Sequence, residues 1–370
     1  MDLVIDLISF VEGKSYGFQE YILNLLDDFS SLRKEIRVGK IILLINQTQH
    51  SFFSKKYGDV FQYNCCEFDS TVSMIINEGR FINKMKLSSS DIILFPSNTM
   101  PFVRTRAKKI LVIHDLLFRH GSYLSKTLYY FLFRFQRYIF IPYSIAKADK
   151  IIAISKFTQD EIIEAYHTDP SKIVAIYNYF NFGKYDSDTP SVLSAVNGKY
   201  ILAVCASYKH KNHITILKAF EQFCKYDNSF SLVFVGDLSL EASSYFRKMD
   251  TCIKEKVFFK KHLSNADMKI LFVNASMFVS ASLYEGLGMP VVEALYFGLP
   301  VIISDIKIHR EVSLNMAEYF PPTSSQCLCD LMIKNANLRR IKNISNDKIV
   351  SIYDKENTSM RYIQLINSMI

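Results

Sequence analysis

The feature that most constrains this chain is an alternation between short apolar runs and longer amphipathic segments along nearly its whole length. Apolar runs rich in Ile, Val and Leu are typical of strands buried on both faces of a parallel sheet, and the amphipathic segments are typical of the helices that cover it. The alternation therefore predicts an α/β fold. The expected strands are Leu3–Ser9, Lys40–Asn46, Asp91–Phe95, Lys109–Ile113, Lys150–Ile154, Lys172–Tyr177, Tyr200–Cys205, Ser231–Val235, Lys256–Phe259, Met277–Ala281 and Pro300–Ser304.

The alternation stops between residues 178 and 199, in a polar segment that contains Gly183 and Pro190. We place an interdomain linker there, because a chain of 370 residues exceeds what one hydrophobic core usually organises. This predicts an N-terminal Rossmann-like domain over 1–185, a C-terminal one over 195–354, and a final helix over 355–370 that packs back on the N-terminal domain. Two such domains facing each other imply a ligand cleft at the carboxyl ends of their strands.

Charge and cysteine content exclude several classes of function. Lys and Arg exceed Asp and Glu by 44 to 36, but this surplus of +8 is spread along the chain and no nucleic-acid-binding module is recognisable, which argues against a nucleic-acid partner. The seven cysteines have irregular spacings and no secretory signal precedes them, so we expect reduced thiols in the cytoplasm. No cluster of metal-binding side chains is recognisable, and no G-x-G-x-x-G follows a predicted strand, so we expect neither a metal nor a nicotinamide or flavin cofactor.

The most informative segment covers residues 282–300 and reads SLYEGLGMPVVEALYFGLP. Gly286 and Gly288 follow a predicted strand and allow a tight loop whose N–H groups can approach a ligand closely. The proline after them suits the first turn of a helix. A helix N-terminus presents bare N–H groups and a partial positive charge, which favour a diphosphate. Glu285 in the loop and Glu293 in the helix could then accept hydrogen bonds from sugar or ribose hydroxyls.

Two glutamates separated by seven residues, within Y-E-G-x-G-x-P-x-x-E-A and followed by G-x-P-V-I-x-S, resemble the retaining glycosyltransferases of family four, which have the GT-B fold. The resemblance is strongest over residues 278–312 and extends thinly over most of the chain. The other similar segments are the basic turn Lys211-Asn212 after a strand, His114-Asp115 at a strand end, Ser155–Thr158 after a later strand, and Gly17 in the loop after the first strand.

The resemblance implies two Rossmann-like domains facing each other across a cleft, and a metal-independent transfer from a nucleotide sugar with retention of the anomeric configuration. Lys211 would neutralise the departing diphosphate, and His114 would lie beside the reacting sugar carbon. Glu285 would contact donor-sugar hydroxyls, and Glu293 would hold the ribose. The implied catalytic residues are thus His114, Glu285 and Lys211, and the implied donor-binding residues are Glu285, Gly286, Leu287, Gly288, Glu293, Lys211 and Asn212, with Gly17 in the acceptor-side loop.

The resemblance also implies bacterial lipopolysaccharide or capsule assembly, with mannose or rhamnose passing to a lipid-linked or oligosaccharide acceptor. The chain departs from the family at Cys205-Ala206, where the family usually has Gly-Arg and that Arg helps to embrace the diphosphate. Lys209 or His210 could take its place. The alternatives are a sugar-nucleotide epimerase or a phosphorylase of the same fold, and a non-catalytic membrane-surface protein. A lone histidine such as His114 could also have a purely structural role.

Residues 117–140 are dense in Phe and Tyr with interspersed basic residues. The apolar stretch 128–146 contains Arg134, Arg137 and Pro142 and is too polar to span a membrane. One interpretation is an amphipathic helix that rests on the inner face of the plasma membrane and receives a lipid-linked acceptor. The other is a core helix whose basic side chains reach solvent, which is favoured because apolar residues nearly encircle the helix.

Overall fold

The computed structural model describes residues 1–11, 17–68, 71–121, 128–180, 198–204, 206–261, 263–336 and 347–370. These residues form two compact units. The first contains Met1–Phe118, Phe131–Asn178 and Lys355–Ile370, and the second contains Arg119–Tyr130 and Tyr179–Asp354. Residues 181–197, which form most of the expected linker, and the residue Cys205 lie outside the described residues.

The first unit is built on a seven-stranded sheet in which every pair of neighbouring strands is parallel. The strand order is β3-β2-β1-β4-β5-β6-β7, so the order reverses between β1 and β4. The strands are β1 Leu3–Asp6, β2 Ile41–Asn46, β3 Gln62–Cys66, β4 Ile92–Phe95, β5 Lys108–Ile113, β6 Lys150–Ala153 and β7 Ile173–Ala175. The accompanying helices are α1 Gly17–Ser31, α2 His50–Tyr57, α3 Thr71–Lys84, α4 Leu128–Lys147 and α5 Lys156–Tyr166, together with the C-terminal helix described below.

The second unit has a six-stranded parallel sheet in the order β10-β9-β8-β11-β12-β13. Its order reverses between β8 and β11. The strands are β8 Tyr200–Val204, β9 Ser231–Val235, β10 Val257–Lys260, β11 Met277–Ser280, β12 Val301–Ser304 and β13 Glu318–Phe320. The helices are α6 His213–Phe223, α7 Leu240–Lys248, α8 Thr251–Lys254, α9 Asn265–Asn274, α10 Met289–Tyr296, α11 Lys307–Val312, α12 Ser325–Asn335 and α13 Asp347–Ile352.

The prediction of two parallel-sheet, Rossmann-like domains is confirmed, and every expected strand is present within a few residues of its expected limits. Two strands were not predicted. Strand β3 reads QYNCC, which has no β-branched residue and no alternation, and β13 has only three residues. Both lie at an edge of their sheet, where a strand buries less apolar surface and therefore leaves a weaker sequence signal.

The C-terminal helix, α14 (Lys355–Ser368), belongs to the first unit and packs against α1. The hydroxyl groups of Tyr21 and Tyr362 are hydrogen-bonded at 2.8 Å. The hydroxyl of Ser359 donates to Asp28 Oδ2 at 2.6 Å, and Lys355 Nζ lies 3.2 Å from Asp28 Oδ1. These buried polar contacts hold the end of the chain on the first helix.

Candidate functional site

In the second unit, two candidate segments follow neighbouring strands. Lys211 comes shortly after β8 and Glu285 shortly after β11, and β8 and β11 pair with each other. The strand order reverses at this pair, and ligands of open α/β sheets bind outside the carboxyl ends of the strands at such a point. The topology therefore brings together two side chains that are 74 residues apart in the sequence.

The basic turn after β8 is a short 3-10 helix, Lys209–Lys211. Asn212 follows it with a φ of +53°, in the left-handed region that Asn adopts more readily than most residues. Its amide Nδ2 donates to the carbonyl oxygen of Pro322 at 2.7 Å. The N–H of Leu283 donates to the carbonyl oxygen of His210 at 2.7 Å. The backbone bond thus fixes the turn against the loop after β11, and the Asn212 side chain fixes it against the segment after β13.

Lys211 and Glu285 form an ion pair in which Nζ lies 2.6 Å from Oε1, with only 18% and 13% of their side chains exposed. The hydroxyl of Ser282 donates to the same oxygen at 2.7 Å. Burial of the Glu285 carboxyl opposes its ionisation, but the charges of Lys211 and His210 and the two hydrogen bonds outweigh burial and lower its pKa to about 2. The carboxyl is therefore a carboxylate at any physiological pH, and it can only accept hydrogen bonds.

The glycine loop enters α10 through Gly288, whose φ of +90° is strained for any residue with a side chain. A Cβ at Gly288 would lie 3.7 Å from Glu285 Cγ, so the helix N-terminus is next to this carboxylate. Gly286 precedes it in the same loop, while the side chain of Leu287 is buried and anchors the loop in the core. Glu293 lies in α10 and is 8% exposed.

Three residues of this site were not assigned a role from the sequence, and they form a hydrogen-bonded series. Ser282 binds the Glu285 carboxylate through its hydroxyl, and its carbonyl oxygen accepts from the Ser304 hydroxyl at 2.5 Å. Ser304 in turn contacts the fully buried imidazole of His309. The signals available were the Ser-x-x-Glu spacing at Ser282 and the serine of the G-x-P-V-I-x-S motif.

The residues that could replace the missing family arginine differ in their surroundings. Ala206 is exposed after β8, and its carbonyl oxygen accepts from the Tyr208 N–H at 2.8 Å. His210 is 7% exposed, and it helps electrostatically to lower the pKa of Glu285, while Lys209 is half-buried. Lys211 contacts the Glu285 carboxylate directly.

In the first unit, His114 directly follows β5 and its imidazole contacts α1. Its ring lies edge-on to Phe18 and Tyr21, at centroid distances of 5.4 and 4.8 Å. Its Nε2 lies 2.8 Å from the carbonyl oxygen of Pro96, which can only accept, so Nε2 carries a proton. Burial lowers the pKa of His114 and favours the neutral imidazole. Gly17 is the first residue of α1, so the structure brings it and His114 to the same end of the first sheet.

The first unit also contains a hydrogen-bonded pair of carboxyl groups, from the buried Asp6 and the half-buried Glu78, that the sequence analysis did not identify. Asp6 is the last residue of β1, and its side chain is hydrogen-bonded to that of Glu78 on α3. Burial and the neighbouring Asp6 charge raise the pKa of Glu78 well above its usual range. Glu78 is therefore the protonated member of the pair and Asp6 the acceptor.

The described residues contain neither a metal site nor a membrane-spanning helix. In the described ranges, no three His, Cys, Asp or Glu side chains come close enough together to form a metal site. Among the helices of those same ranges, none combines the length and the apolar character needed to cross a bilayer.

Comparison with known proteins identifies two family models along this chain. Residues 63–182 match the model described as Glycosyltransferase Family 4, and residues 186–338 match Glycosyl transferases group 1. The O-antigen chain mannosyltransferase RfbU of Salmonella typhimurium is 28% identical over 241 residues, which are 64% of this chain and 63% of that protein. The serotype-specific mannosyltransferase WbdA of Escherichia coli is 26% identical over 190 residues, 47% of this chain but 23% of the relative. The chain therefore spans less than two thirds of either relative.

Solved structures share the fold over nearly the whole chain. Anabaena HepE in complex with UDP and glucose has a TM-score of 0.71 at 14% identity, and the match covers 100% of this chain and 100% of that chain. WaaG, a glycosyltransferase involved in lipopolysaccharide biosynthesis, has a TM-score of 0.64 at 12% identity, with 98% of this chain and 95% of that chain covered. At such identities the likeness shows the fold alone. Two glycosyltransferase family models thus follow one another along most of the sequence, and the chain has the GT-B fold of these solved structures.

Proposed function

We propose that this protein is a retaining hexosyltransferase of cell-surface polysaccharide biosynthesis. It moves mannose, or alternatively rhamnose, from a nucleoside-diphosphate sugar to a lipid-linked or oligosaccharide acceptor. The observation that carries the proposal is the Lys211–Glu285 pair beside a glycine loop and a helix N-terminus, at the point where the strand order of the second sheet reverses. The names of the two sequence relatives, an O-antigen chain mannosyltransferase and a serotype-specific mannosyltransferase, support the choice of sugar and pathway.

The cationic and dipolar groups of the second unit suit a nucleoside diphosphate. Lys211 Nζ has three protons and gives one to Glu285 Oε1, so the others can bind phosphate oxygens. The N-terminus of α10 adds a partial positive charge nearby. These groups would stabilise the negative charge that develops on the leaving diphosphate. In this proposal Glu293 binds the ribose, with Asn212 fixing the turn that carries the lysine.

The acceptor groups of the same loop suit a sugar. Lys211 and Ser282 both donate to Oε1 of the Glu285 carboxylate, and Oε2 makes no hydrogen bond among the described residues. Oε2 is thus available to hydroxyl groups of the hexose. In our proposal the diphosphate itself removes the acceptor proton during same-face attack, and no metal or other cofactor takes part. The neutral His114 of the first unit belongs to the acceptor side.

We also propose that the protein is cytoplasmic and contacts the membrane through α4. One face of this helix exposes apolar side chains to solvent: Phe131 (64%), Leu132 (56%), Phe135 (60%), Tyr138 (46%) and Ile139 (43%). The burial expected from the encircling apolar pattern is therefore wrong for this face. Phe102, 54% exposed, packs against Phe140 of the helix with ring centroids 4.9 Å apart. The same loop carries the exposed Arg104 and Arg106, which suit anionic headgroups.

The membrane contact is tested by sedimentation with vesicles that contain an anionic phospholipid. We expect the double variant Phe131→Ser, Phe135→Ser to lose most binding, and Leu240→Ser, which removes an apolar side chain that is 77% exposed in the second unit, to bind like the wild type. Equal binding by all three proteins would contradict the contact.

The donor is tested by thermal unfolding with GDP, UDP and dTDP and their sugars. A ligand that binds the native state raises the midpoint, because it stabilises that state by RT ln(1 + [L]/Kd), which is about 2.7 kcal/mol at a hundredfold excess over Kd. We expect one nucleotide to stabilise the wild type and Glu293→Ala and Lys211→Ala to abolish the shift. A chain stabilised by none of them would support the non-catalytic alternative, and turnover without an acceptor would support an epimerase.

A further inference from the structure

His309, in α11, is a fully buried histidine that neither the sequence motifs nor the proposed function uses. Its Nδ1 lies 2.9 Å from the carbonyl oxygen of Ser304 and 3.0 Å from the Ser304 hydroxyl oxygen. A carbonyl oxygen can only accept a hydrogen bond, so Nδ1 must carry a proton. The Ser304 hydroxyl gives its single proton to the carbonyl oxygen of Ser282, so it too accepts from Nδ1. The hydrogen bonds therefore fix the tautomer.

The other ring nitrogen is left as an acceptor. Burial lowers the pKa of His309, so the ring is neutral and Nε2 holds a lone pair. Nε2 is buried and has no hydrogen-bond partner in the part of the chain that the structure describes. Buried polar atoms are nearly always paired. A histidine that served only to attach α11 to the end of β12 would need the Nδ1 bonds but not this unpaired acceptor.

The unpaired side of the ring borders the candidate donor site. A Cβ built on Gly288 would lie 4.0 Å from His309 Cδ2, the carbon bonded to Nε2, and 3.7 Å from Glu285 Cγ. The absence of a side chain at Gly288 thus keeps a gap between the carboxylate and the imidazole. Both groups at this gap are acceptors. Phosphate oxygens are acceptors as well and cannot donate a hydrogen bond to either group, whereas sugar hydroxyls can donate to the carboxylate and to Nε2.

We propose that His309 is a binding residue of the donor site, a neutral imidazole whose Nε2 accepts a hydrogen bond from a hydroxyl group of the bound nucleotide sugar. This inference rests on the proposed function of the Glu285 loop. Because Nε2 is buried without ligand, the loop that carries Glu285 and Gly288 shifts when the sugar enters. His309 then distinguishes the intact nucleotide sugar from the nucleoside diphosphate, which has no hexose hydroxyl to offer.

The test compares GDP with GDP-mannose, and UDP with UDP-glucose, by isothermal titration calorimetry. In His309→Asn the amide N–H can replace the Nδ1 donor, but no acceptor reaches the position of Nε2. We expect affinity for the diphosphate to stay within twofold and affinity for its sugar to fall at least tenfold, which is about 1.4 kcal/mol. His309→Gln places an amide oxygen near the Nε2 position and should recover part of the loss.

His213→Asn is the matched control, because His213 is another fully buried histidine of the second unit whose Nδ1 accepts from the Ser239 N–H at 3.2 Å. We expect it to change the affinities for diphosphate and sugar equally. Nitrogen NMR of the histidine rings in the wild type should show a neutral, Nδ1-protonated His309 whose Nε2 signal shifts with the nucleotide sugar but not with the diphosphate.

The outcomes separate this inference from the proposed function. A wild type that binds none of these four ligands, and neither dTDP nor dTDP-rhamnose, contradicts the proposed function and, with it, this role of His309. A wild type that binds a nucleotide sugar, with His309→Asn binding it equally well, overturns the role of His309 alone. An Nε2-protonated ring in the free protein overturns the inference even if His309→Asn fails to fold.

Discussion

Removing Lys211 should leave the buried Glu285 carboxylate without its cation, and the resulting loss of unfolding free energy can be worked from the structure. The pKa of Glu285 lies at about 2 against an ordinary value of 4.5, and a tenfold change in proton affinity is worth ~1.4 kcal/mol, so ionised Glu285 contributes about 3 kcal/mol to the stability of the second unit. Since the pKa is lowered on folding, this stability is present above pH 4.5 and is lost as the pH falls toward 2. Lys211 is the largest of the groups that offset burial.

We therefore expect Lys211→Met to lower the free energy of unfolding at pH 7 by about 3 kcal/mol, in the range seen when one partner of a buried ion pair is removed. The double variant Lys211→Met, Glu285→Gln should recover much of that loss, because the amide needs no cation. The difference between the double variant and the sum of the single variants measures the coupling.

The assay is urea unfolding followed by fluorescence. The chain contains no Trp, so Tyr226→Trp, at a half-exposed position of the second unit, provides a reporter for that unit alone. Lys334→Met is the control: Lys334 pairs with Glu318 at 2.6 Å, but 64% of its side chain is exposed, so its loss should cost less than about 1 kcal/mol. Equal stabilities of Lys211→Met and Lys334→Met, or a coupling near zero, would refute the reasoning.

Three further predictions concern single groups. The wild type must protonate Glu78 beside Asp6 to fold, whereas Glu78→Gln needs no proton there. The stability of Glu78→Gln relative to the wild type should therefore rise by about 1.4 kcal/mol per pH unit above pH 4.5, up to the folded-state pKa of Glu78. Calorimetry at pH 5, 6 and 7 that shows a constant difference would disprove this. Ser282→Ala should cost about 2 kcal/mol in the fluorescence assay, since it removes a hydrogen bond to the Glu285 carboxylate, and an unchanged midpoint would argue against that bond. Gly288→Ala should cost about 1–2 kcal/mol through its φ of +90° alone, and a stabilised variant would show that the loop is not strained.

Much of the fold followed from the sequence, because buried parallel strands leave continuous apolar runs. The paired contact in the site did not. Lys211 and Glu285 were assigned to the diphosphate and the sugar separately, and only the order of β8 beside β11 brings their charges to 2.6 Å. Strand order depends on long-range packing, which periodicity along the chain does not encode.

The supporting residues were missed for a related reason. Ser304 and His309 act through hydrogen bonds whose partners come from two different loops, so neither residue stands out from its neighbours in the sequence. The sequence did not predict the exposed face of α4 either, because a helix with apolar residues all round gives no indication of which side meets solvent.

Transfer of a hexose from a nucleotide sugar with retention is tested by the anomeric configuration of the product. The protein would be incubated with GDP-α-mannose and a polyprenyl-diphosphate-linked oligosaccharide, and the new linkage would be assigned by NMR. We expect an α-linked mannose, formed by the wild type and not by Lys211→Ala. A β-linked product, or equal product from both proteins, would contradict it.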